Sequence, residues 1–136
     1  MKTKAYTDIQ QSQELSKFLH TDTADMYRLI EKGRPTRVYI DFGEFPTDKG
    51  YYLPCWSLDA LMELLPETVT VIDKEDEEDY TDYILCIIKE DGQWTIYYEE
   101  EAHSALTTEW LVDKTSENLI DAAYNVIVEL HSRELL

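Results

Sequence analysis

The chain has 136 residues, of which 43% are hydrophobic, and its formal net charge is −17. This composition predicts a single globular domain over residues 1–136 and excludes disordered and collagen-like chains. Because the charge repels nucleic-acid phosphates and anionic lipids, we expect no direct nucleic-acid binding and no membrane association.

The sequence predicts a cytoplasmic protein. The N-terminal stretch MKTKAYTDIQQSQ lacks the apolar segment of a secretion signal, and the longest purely apolar run, ILCII at residues 84–88, is too short to span a membrane. Cys55 and Cys86 are too few for a disulfide framework, which favours a reducing compartment.

Two helices are predicted in the first quarter of the chain. The first covers TDIQQSQELSKFLH and begins with the capping residues Thr7 and Asp8. The second covers TDTADMYRLIEKG, where Met26, Leu29 and Ile30 share one helical stripe before glycine and proline stop signals.

Extended structure is predicted next. RVYIDF, starting at Arg37, and GYYLP, ending at Pro54, indicate two strands separated by the turn-rich stretch GEFPTDKG. WSLDALMELLP then predicts a buried third helix that Ser57 caps and Pro66 ends. The stretch VTVI, which ends at Ile72, predicts a short strand.

The strongest local pattern is a hairpin within YTDYILCIIKEDGQWTIYYEEE. Asp91-Gly92 is the two-residue connection that a type I′ turn favours, since both positions need positive φ. The turn places Glu90 opposite Gln93. One face then carries Tyr83, Leu85, Ile87, Trp94, Ile96 and Tyr98, and the other carries Ile84, Cys86, Ile88 and Tyr97. Two apolar faces predict either a sheet covered on both sides or a sheet with one face offered to a partner.

The C-terminal stretch predicts a long helix that Thr115 or Ser116 caps, with a continuous apolar stripe from Leu119 to Leu130. The stretch before it, residues 103–112, fits a short helix or a strand. The predicted fold class is α+β, with about four helices packed on a mainly antiparallel sheet that contains the Asp-Gly hairpin. The strand order stays open.

Carboxylates are concentrated in the second half of the chain. Residues 69–136 have a net charge of −14, against −3 for residues 1–68. The predicted hairpin brings EEE at residues 99–101 to the end at which the acidic run DKEDEED enters. We name this predicted cluster the acidic pole; its members are Asp73, Glu75, Asp76, Glu77, Glu78, Asp79, Asp82, Glu99, Glu100 and Glu101.

Two interpretations of the acidic pole stay open. It is either a binding surface for a partner protein or a solvated loop that keeps the protein soluble. A calcium site is disfavoured, because the run lacks the alternating ligand spacing and the central glycine of an EF-hand loop.

No catalytic or cofactor motif is found in the sequence. The patterns GxxxxGK[ST], GxGxxG and GxSxG are missing, and His20, His103 and His131 occupy unrelated local contexts. Cys55 and Cys86 are interpreted as core residues. We therefore predict a protein that is not an enzyme and uses neither a cofactor nor a metal.

Three segments carry a resemblance to a known family. The chain resembles small uncharacterised proteins of phages, prophages and conjugative elements of Bacteroides-type gut bacteria. The resemblance lies in the amino-acid sequence and the order of three segments: TADMYRLIEKG, WSLDALMELLP and ENLIDAAYNVIVELHSRELL. That family has no known activity, cofactor or catalytic residue. The resemblance therefore implies only a mobile-element origin and a cytoplasmic host setting.

The sequence as a whole predicts a non-catalytic accessory protein that binds another protein, with the aromatic hairpin and exposed tyrosines as the contact surface. The alternative is an acidic DNA mimic that inhibits a host DNA-binding or defence protein. A DNA mimic needs carboxylates spaced like phosphates, about one charge per 1.7 Å of duplex axis, and one dense pole is a poor copy. A homodimer formed through the hairpin is also left open.

Overall fold

A computed structural model of the chain describes residues 4–40, 51–101 and 110–136. The chain divides into two compact units, an N-terminal unit that ends at Leu64 and a C-terminal unit that starts at Leu65. The fold class is α+β, as predicted, with two antiparallel sheets. None of the helices in these three ranges has the length and apolar character needed to cross a membrane. The single domain over residues 1–136 stays a prediction.

The N-terminal unit combines a three-stranded antiparallel sheet with short helices. Its α-helices are α1 (Ile9–Ser16) and α2 (Leu58–Leu64), and a 3₁₀ helix covers Thr21–Thr23. Its strands are β1 (Met26–Ile30), β2 (Arg37–Tyr39) and β3 (Tyr51–Cys55), in the order β2-β1-β3. The predicted turn GEFPTDKG lies outside the described residues.

The predicted helix over residues 21–33 is wrong, because β1 occupies its centre. Arg28, in the middle of β1, lies opposite Val38 of β2 and Leu53 of β3. A run of five residues with an arginine between apolar and aromatic side chains fits a strand as well as a helix, and pairing on both edges stabilises the strand. The described ranges contain three α-helices, so the prediction of about four is not confirmed.

The other two short helices begin where the sequence predicts. The carboxylate of Asp8 accepts a hydrogen bond from the backbone N–H of Gln11 at 2.8 Å, and the Gln11 side chain accepts one from the N–H of Asp8. This is a capping box at the start of α1. At the start of α2, the hydroxyl of Ser57 accepts from the N–H of Ala60 at 3.2 Å.

The C-terminal unit is a four-stranded antiparallel sheet followed by a long helix. The strands are β4 (Thr68–Ile72), β5 (Tyr80–Glu90), β6 (Gln93–Glu100) and β7 (Trp110–Ser116), in the order β4-β5-β6-β7. The helix is α3 (Leu119–Ser132), which packs against β6 and β7. Consecutive strands are therefore neighbours throughout this sheet.

The central pair of this sheet, β5 and β6, has Glu90 opposite Gln93 and Cys86 opposite Tyr97. Asp91 and Gly92 connect the two strands with φ values of 51° and 76°. These pairs have the register that the sequence predicts. Positive φ at both positions explains why a glycine and a short polar residue stand there.

The predicted C-terminal helix is confirmed, but its predicted caps are wrong. Thr115 and Ser116 belong to β7, where Thr115 lies opposite Thr95. Asn118 caps α3 instead, since its side-chain oxygen accepts from the N–H of Asp121 at 2.8 Å. Of the undecided stretch at residues 103–112, the described part starts at Trp110 and is a strand, whereas the preceding residues lie outside the described ranges.

Candidate functional site

On one face of the four-stranded sheet, α3 packs over β6 and β7. Residues that lie opposite each other in the pairing share a face, so Ile96 and Tyr98 of β6 define this side. Both are fully buried. The helix contributes a buried stripe to the same core: Ile120, Ala122, Ala123, Val126, Ile127 and Leu130. We name this side the covered face.

The opposite side of the same sheet exposes apolar side chains, and we name it the open face. Strand pairing places these apolar residues on it: Ile72, Tyr80, Ile84, Cys86, Ile88, Tyr97 and Trp110. Ile84 and Ile88 of β5 are 36% and 37% exposed, and Trp110 of β7 is 43% exposed. Ile84, Cys86 and Ile88 follow one another on this face of β5, and Tyr97 of β6 lies opposite Cys86, whereas Thr70 and Asp82 separate this group from Ile72 and Tyr80. Neighbouring exposed apolar side chains of this kind are typical of contact surfaces.

An aromatic stack lies on the open face. The rings of Tyr97 and Trp110 have their centroids 4.1 Å apart and are inclined by 21°. Desolvation raises the pKa of the Tyr97 phenol, with smaller contributions from the neighbouring Cys86 and Glu99. The two rings therefore form a fixed, partly apolar surface with a neutral phenol at its edge.

Hydroxyl groups occupy the positions between the apolar residues. Thr95 and Thr115 share a hydrogen bond of 2.8 Å across β6 and β7, and the hydroxyl of Thr70 donates to the carboxylate of Asp82 at 2.6 Å. Because cross-strand pairs of this kind hold side chains in place, the open face has little conformational freedom to lose when another surface contacts it.

Charge is separated between the two faces. The lysines of the sheet lie on the covered face, where Lys89 sits over the Trp94 ring at 5.1 Å and Lys114 approaches the Glu129 carboxylate at 3.6 Å. The open face instead carries carboxylates, at Asp82, Glu90, Glu99 and Asp113. Within the four described strands, no lysine or arginine lies on the open face.

The acidic run between β4 and β5 is a closed loop. The N–H of Asp73 donates to the carbonyl of Asp79 at 2.9 Å, and the N–H of Asp79 donates to the carbonyl of Asp76 at 2.9 Å. The carboxylates of Asp73 and Asp76 each accept from a backbone N–H two residues later, those of Glu75 and Glu78. These two carboxylates are therefore bound to the backbone of their own loop.

Three members of the acidic pole converge beside this loop. Asp82, Glu100 and Glu101 line a groove of about 300 Å³ together with Tyr80 and Thr81. The N–H of Glu101 donates to the carbonyl of Asp82 at 2.9 Å, which continues the β5–β6 ladder by one residue.

The remaining members of the pole are divided. Glu99 lies opposite Ile84 on the open face, whereas Glu100 lies opposite Tyr83 on the covered side. Asp79, the last residue of the loop, is three residues from Asp82, roughly 10 Å along the strand direction. The pole thus occupies one end of the sheet without forming one surface, and its binding role stays a prediction.

The structure describes both cysteines and two of the three histidines, and His103 lies outside the described residues. Cys86 is partly exposed on the open face, so the prediction that it is a core residue is wrong. Cys55 is fully buried, and its thiol donates to the carbonyl of Thr7 at 3.3 Å. His20 accepts from the N–H of Asp22 at 3.2 Å and so begins the 3₁₀ helix, and His131 lies in the last turn of α3. Among the residues that the structure describes, no three Asp, Glu, His or Cys side chains are grouped as ligands for one metal ion.

Sequence reasoning missed three residues of the open face. Trp110 fell in the undecided stretch, and Ile72 and Tyr80 were not connected because the pairing of β4 with β5 was not predicted. Ile72 lies opposite Tyr80 at the mouth of the acidic loop. The alternation of TVTVI just before this loop, and of YTDYIL just after it, is the signal that could have revealed the pair.

Comparisons of the chain with protein-family models, with curated proteins and with solved structures find no match.

Proposed function

We propose that this chain is a non-catalytic accessory protein that acts by binding another protein through the open face. The unequal cover of the four-stranded sheet carries this proposal. The helix α3 packs over β6 and β7 on one face and buries Ile96 and Tyr98 there, while the other face exposes Ile84, Ile88 and Trp110.

The composition of the open face supports a protein partner. Tyrosine, tryptophan and isoleucine present large apolar areas that lose little entropy when they are buried between two proteins. The stack of Tyr97 on Trp110 and the bond between Thr95 and Thr115 hold the surface in one arrangement before contact.

The setting of the proposed interaction is the cytoplasm of a bacterial host, and the proposed origin of the chain is a mobile genetic element. Both parts rest on the resemblance of TADMYRLIEKG, WSLDALMELLP and ENLIDAAYNVIVELHSRELL to proteins of phages and conjugative elements.

Affinity capture with two matched double variants tests the proposal. Ile84→Ser with Ile88→Ser changes the open face, and Ile9→Ser with Ile40→Ser removes exposed isoleucines from the N-terminal unit. Circular dichroism first establishes that both variants are folded. We expect partners that resist high salt to be lost with the open-face variant and retained with the control. Equal retention by both variants would contradict the proposal.

A second candidate is an acidic DNA mimic that inhibits a host DNA-binding or defence protein. The convergence of Asp82, Glu100 and Glu101 in one groove favours it. Reversing Glu99, Glu100 and Glu101 to lysine would then abolish capture of DNA-binding proteins, and moderate salt would release them from the unchanged chain. Capture that survives this reversal would exclude the DNA-mimic candidate and leave the open-face proposal intact.

A further inference from the structure

We infer that the occupant of the open face is a basic amphipathic helix of a partner protein. Its apolar stripe would cover Ile84, Ile88 and Trp110, and its flanking lysine or arginine side chains would pair with the carboxylates around them. This inference rests on the proposed function and adds the chemistry of the partner.

The backbone of the sheet indicates a helix rather than an added strand. β5 and β6 lie in the middle of the sheet, so each is already paired on both edges. The open face therefore offers side chains and not free N–H and C=O groups, whereas strand addition requires an unpaired edge. The covered face shows that this sheet accepts a helix, since α3 packs there with a buried apolar stripe.

The charges on the open face indicate a basic partner. Asp82 and Glu90 lie near the two ends of β5, roughly 26 Å apart by strand rise. Asp113 of β7 lies opposite Tyr97 of β6 on the same face. The lysines of the sheet, Lys89 and Lys114, lie on the covered face. A partner with lysine or arginine beside its apolar stripe therefore complements this face, and an acidic partner is repelled.

The same charges disfavour a second copy of this chain as the occupant. Contact between two open faces would bring Asp82, Glu90, Glu99 and Asp113 of one copy towards the same residues of the other. The four described strands place no lysine or arginine on the open face of either copy to pair with these carboxylates. Each chain also carries a formal charge of −17. Like charges at this density oppose association.

An NMR titration with designed peptides tests the inference. The probe is a helical peptide of about 18 residues, roughly 27 Å long, with a leucine stripe flanked by lysines. One control is the same composition in scrambled order, and another has glutamate in place of lysine. We expect the basic probe to shift the methyl signals of Ile84 and Ile88 and the indole signal of Trp110. Its dissociation constant should be at least about tenfold lower than that of either control.

Neutralising variants test the role of charge on the open face. Glu90→Gln with Asp113→Asn removes two open-face carboxylates, and Glu77→Gln with Glu78→Gln removes two from the acidic loop. Both variants have the same net charge. We expect the first to weaken binding of the basic probe by about threefold to tenfold and the second by less than about twofold.

These outcomes distinguish a failure of the inferred partner chemistry from a failure of the proposed function. If the acidic probe binds the open face as tightly as the basic one, the inferred chemistry is overturned but the open face remains a binding surface. Shifts of open-face signals with protein concentration alone would identify a second copy as the occupant and overturn the inference. If no probe shifts Ile84, Ile88 or Trp110, the inference fails; if partner capture also ignores the open-face variant, the proposed function fails with it.

Discussion

The covered and open faces of the four-stranded sheet are built from alternate residues of the same strands. Ile96 of β6 is fully buried, while Ile88 of the adjacent β5 is 37% exposed. Both faces are rich in apolar residues, so hydrophobicity alone does not distinguish them. The difference comes from α3, whose apolar stripe packs over β6 and β7 on one face. One face therefore stabilises the fold, and the other remains available for contact.

Polar groups follow the same division. On the covered face, the Tyr98 hydroxyl donates to the carbonyl of Pro66 at 2.7 Å, and Lys114 pairs with Glu129 of α3. On the open face, the hydroxyls of Thr95 and Thr115 bond to each other across β6 and β7, and Glu99 and Asp113 place carboxylates on the same side. The polar groups of the covered face therefore bond to other parts of the C-terminal unit, whereas those of the open face bond within the sheet or face solvent.

The largest difference between the faces is expected from one isoleucine on each. Ile96→Ala should lower the free energy of unfolding by about 2–5 kcal/mol, because it leaves a cavity under α3. Ile88→Ala should lower it by less than about 1 kcal/mol, since its side chain already contacts water. Urea unfolding of both variants measures the difference. Equal losses would mean that the open face is packed as tightly as the covered one.

A smaller difference is expected from one tyrosine on each face. Tyr98→Phe removes the bond to Pro66 and should cost about 1 kcal/mol at neutral pH, while Tyr80→Phe, on an exposed ring, should cost almost nothing. Urea unfolding at pH 7 measures both. Similar costs for the two variants would contradict the buried role of the Tyr98 phenol.

The same tyrosine predicts a loss of stability in alkali. Burial raises the pKa of the Tyr98 phenol above its ordinary value of 10.0. A phenol that resists ionisation in the folded chain stabilises it fully below pH 10, and this contribution is lost as the pH rises above 10. We expect the free energy of unfolding to fall above pH 10 less steeply in Tyr98→Phe than in the unchanged chain or in Tyr80→Phe. Identical slopes in all three would exclude this origin.

Charge on the two faces should have small and opposite effects. Glu129→Gln removes the partner of Lys114 and of Arg133 and should lower stability by about 0.5 kcal/mol, an effect that salt reduces. Asp113→Asn on the open face should leave stability unchanged or raise it slightly, since it relieves repulsion among carboxylates. Thermal unfolding at low and high salt measures both. A clear loss of stability in Asp113→Asn would show that this carboxylate supports the fold.

The smallest perturbation is alkylation of the cysteines, which reports access to the open face. Cys86 is partly exposed there, whereas Cys55 is fully buried in the N-terminal unit. We expect iodoacetamide to modify Cys86 in the folded chain and Cys55 only after unfolding, as mass spectrometry of peptides would show. Iodoacetate is anionic, and the Glu99 carboxylate lies 4.0 Å from the Cys86 sulfur in the folded chain. The ratio of the iodoacetamide rate to the iodoacetate rate at Cys86 should therefore be at least about threefold higher in the folded than in the unfolded chain. Equal modification of both cysteines in the folded chain would contradict the assigned burial.

Local patterns account for the parts of the fold that depend on neighbours in sequence. The Asp91-Gly92 pair and the runs on either side of it correspond to the register of β5 and β6, because a two-residue connection allows only one alignment of its strands. The stripe of α3 was likewise readable, since a helix of this length repeats its apolar positions several times. These features need no knowledge of distant residues.

Features that depend on distant partners were not readable. Met26–Ile30 became the central strand of a sheet because β2 and β3 pair with both of its edges, and a run of five residues carries too little periodicity to predict this. Trp110 joined the open face only through its pairing opposite Glu99 and its stack on Tyr97. The candidate site therefore lay partly beyond sequence reasoning.

The sequence by itself determined that the strands of the β5–β6 hairpin have two apolar faces, because side chains alternate along a strand whatever surrounds it. It also determined that a helix with an apolar stripe lies C-terminal to the hairpin. Only the tertiary structure decided which face that helix covers, since the choice depends on how Ile96 and Tyr98 pack beneath α3 and not on the hydrophobicity of either face. That choice leaves Ile84, Ile88 and Trp110 exposed to solvent.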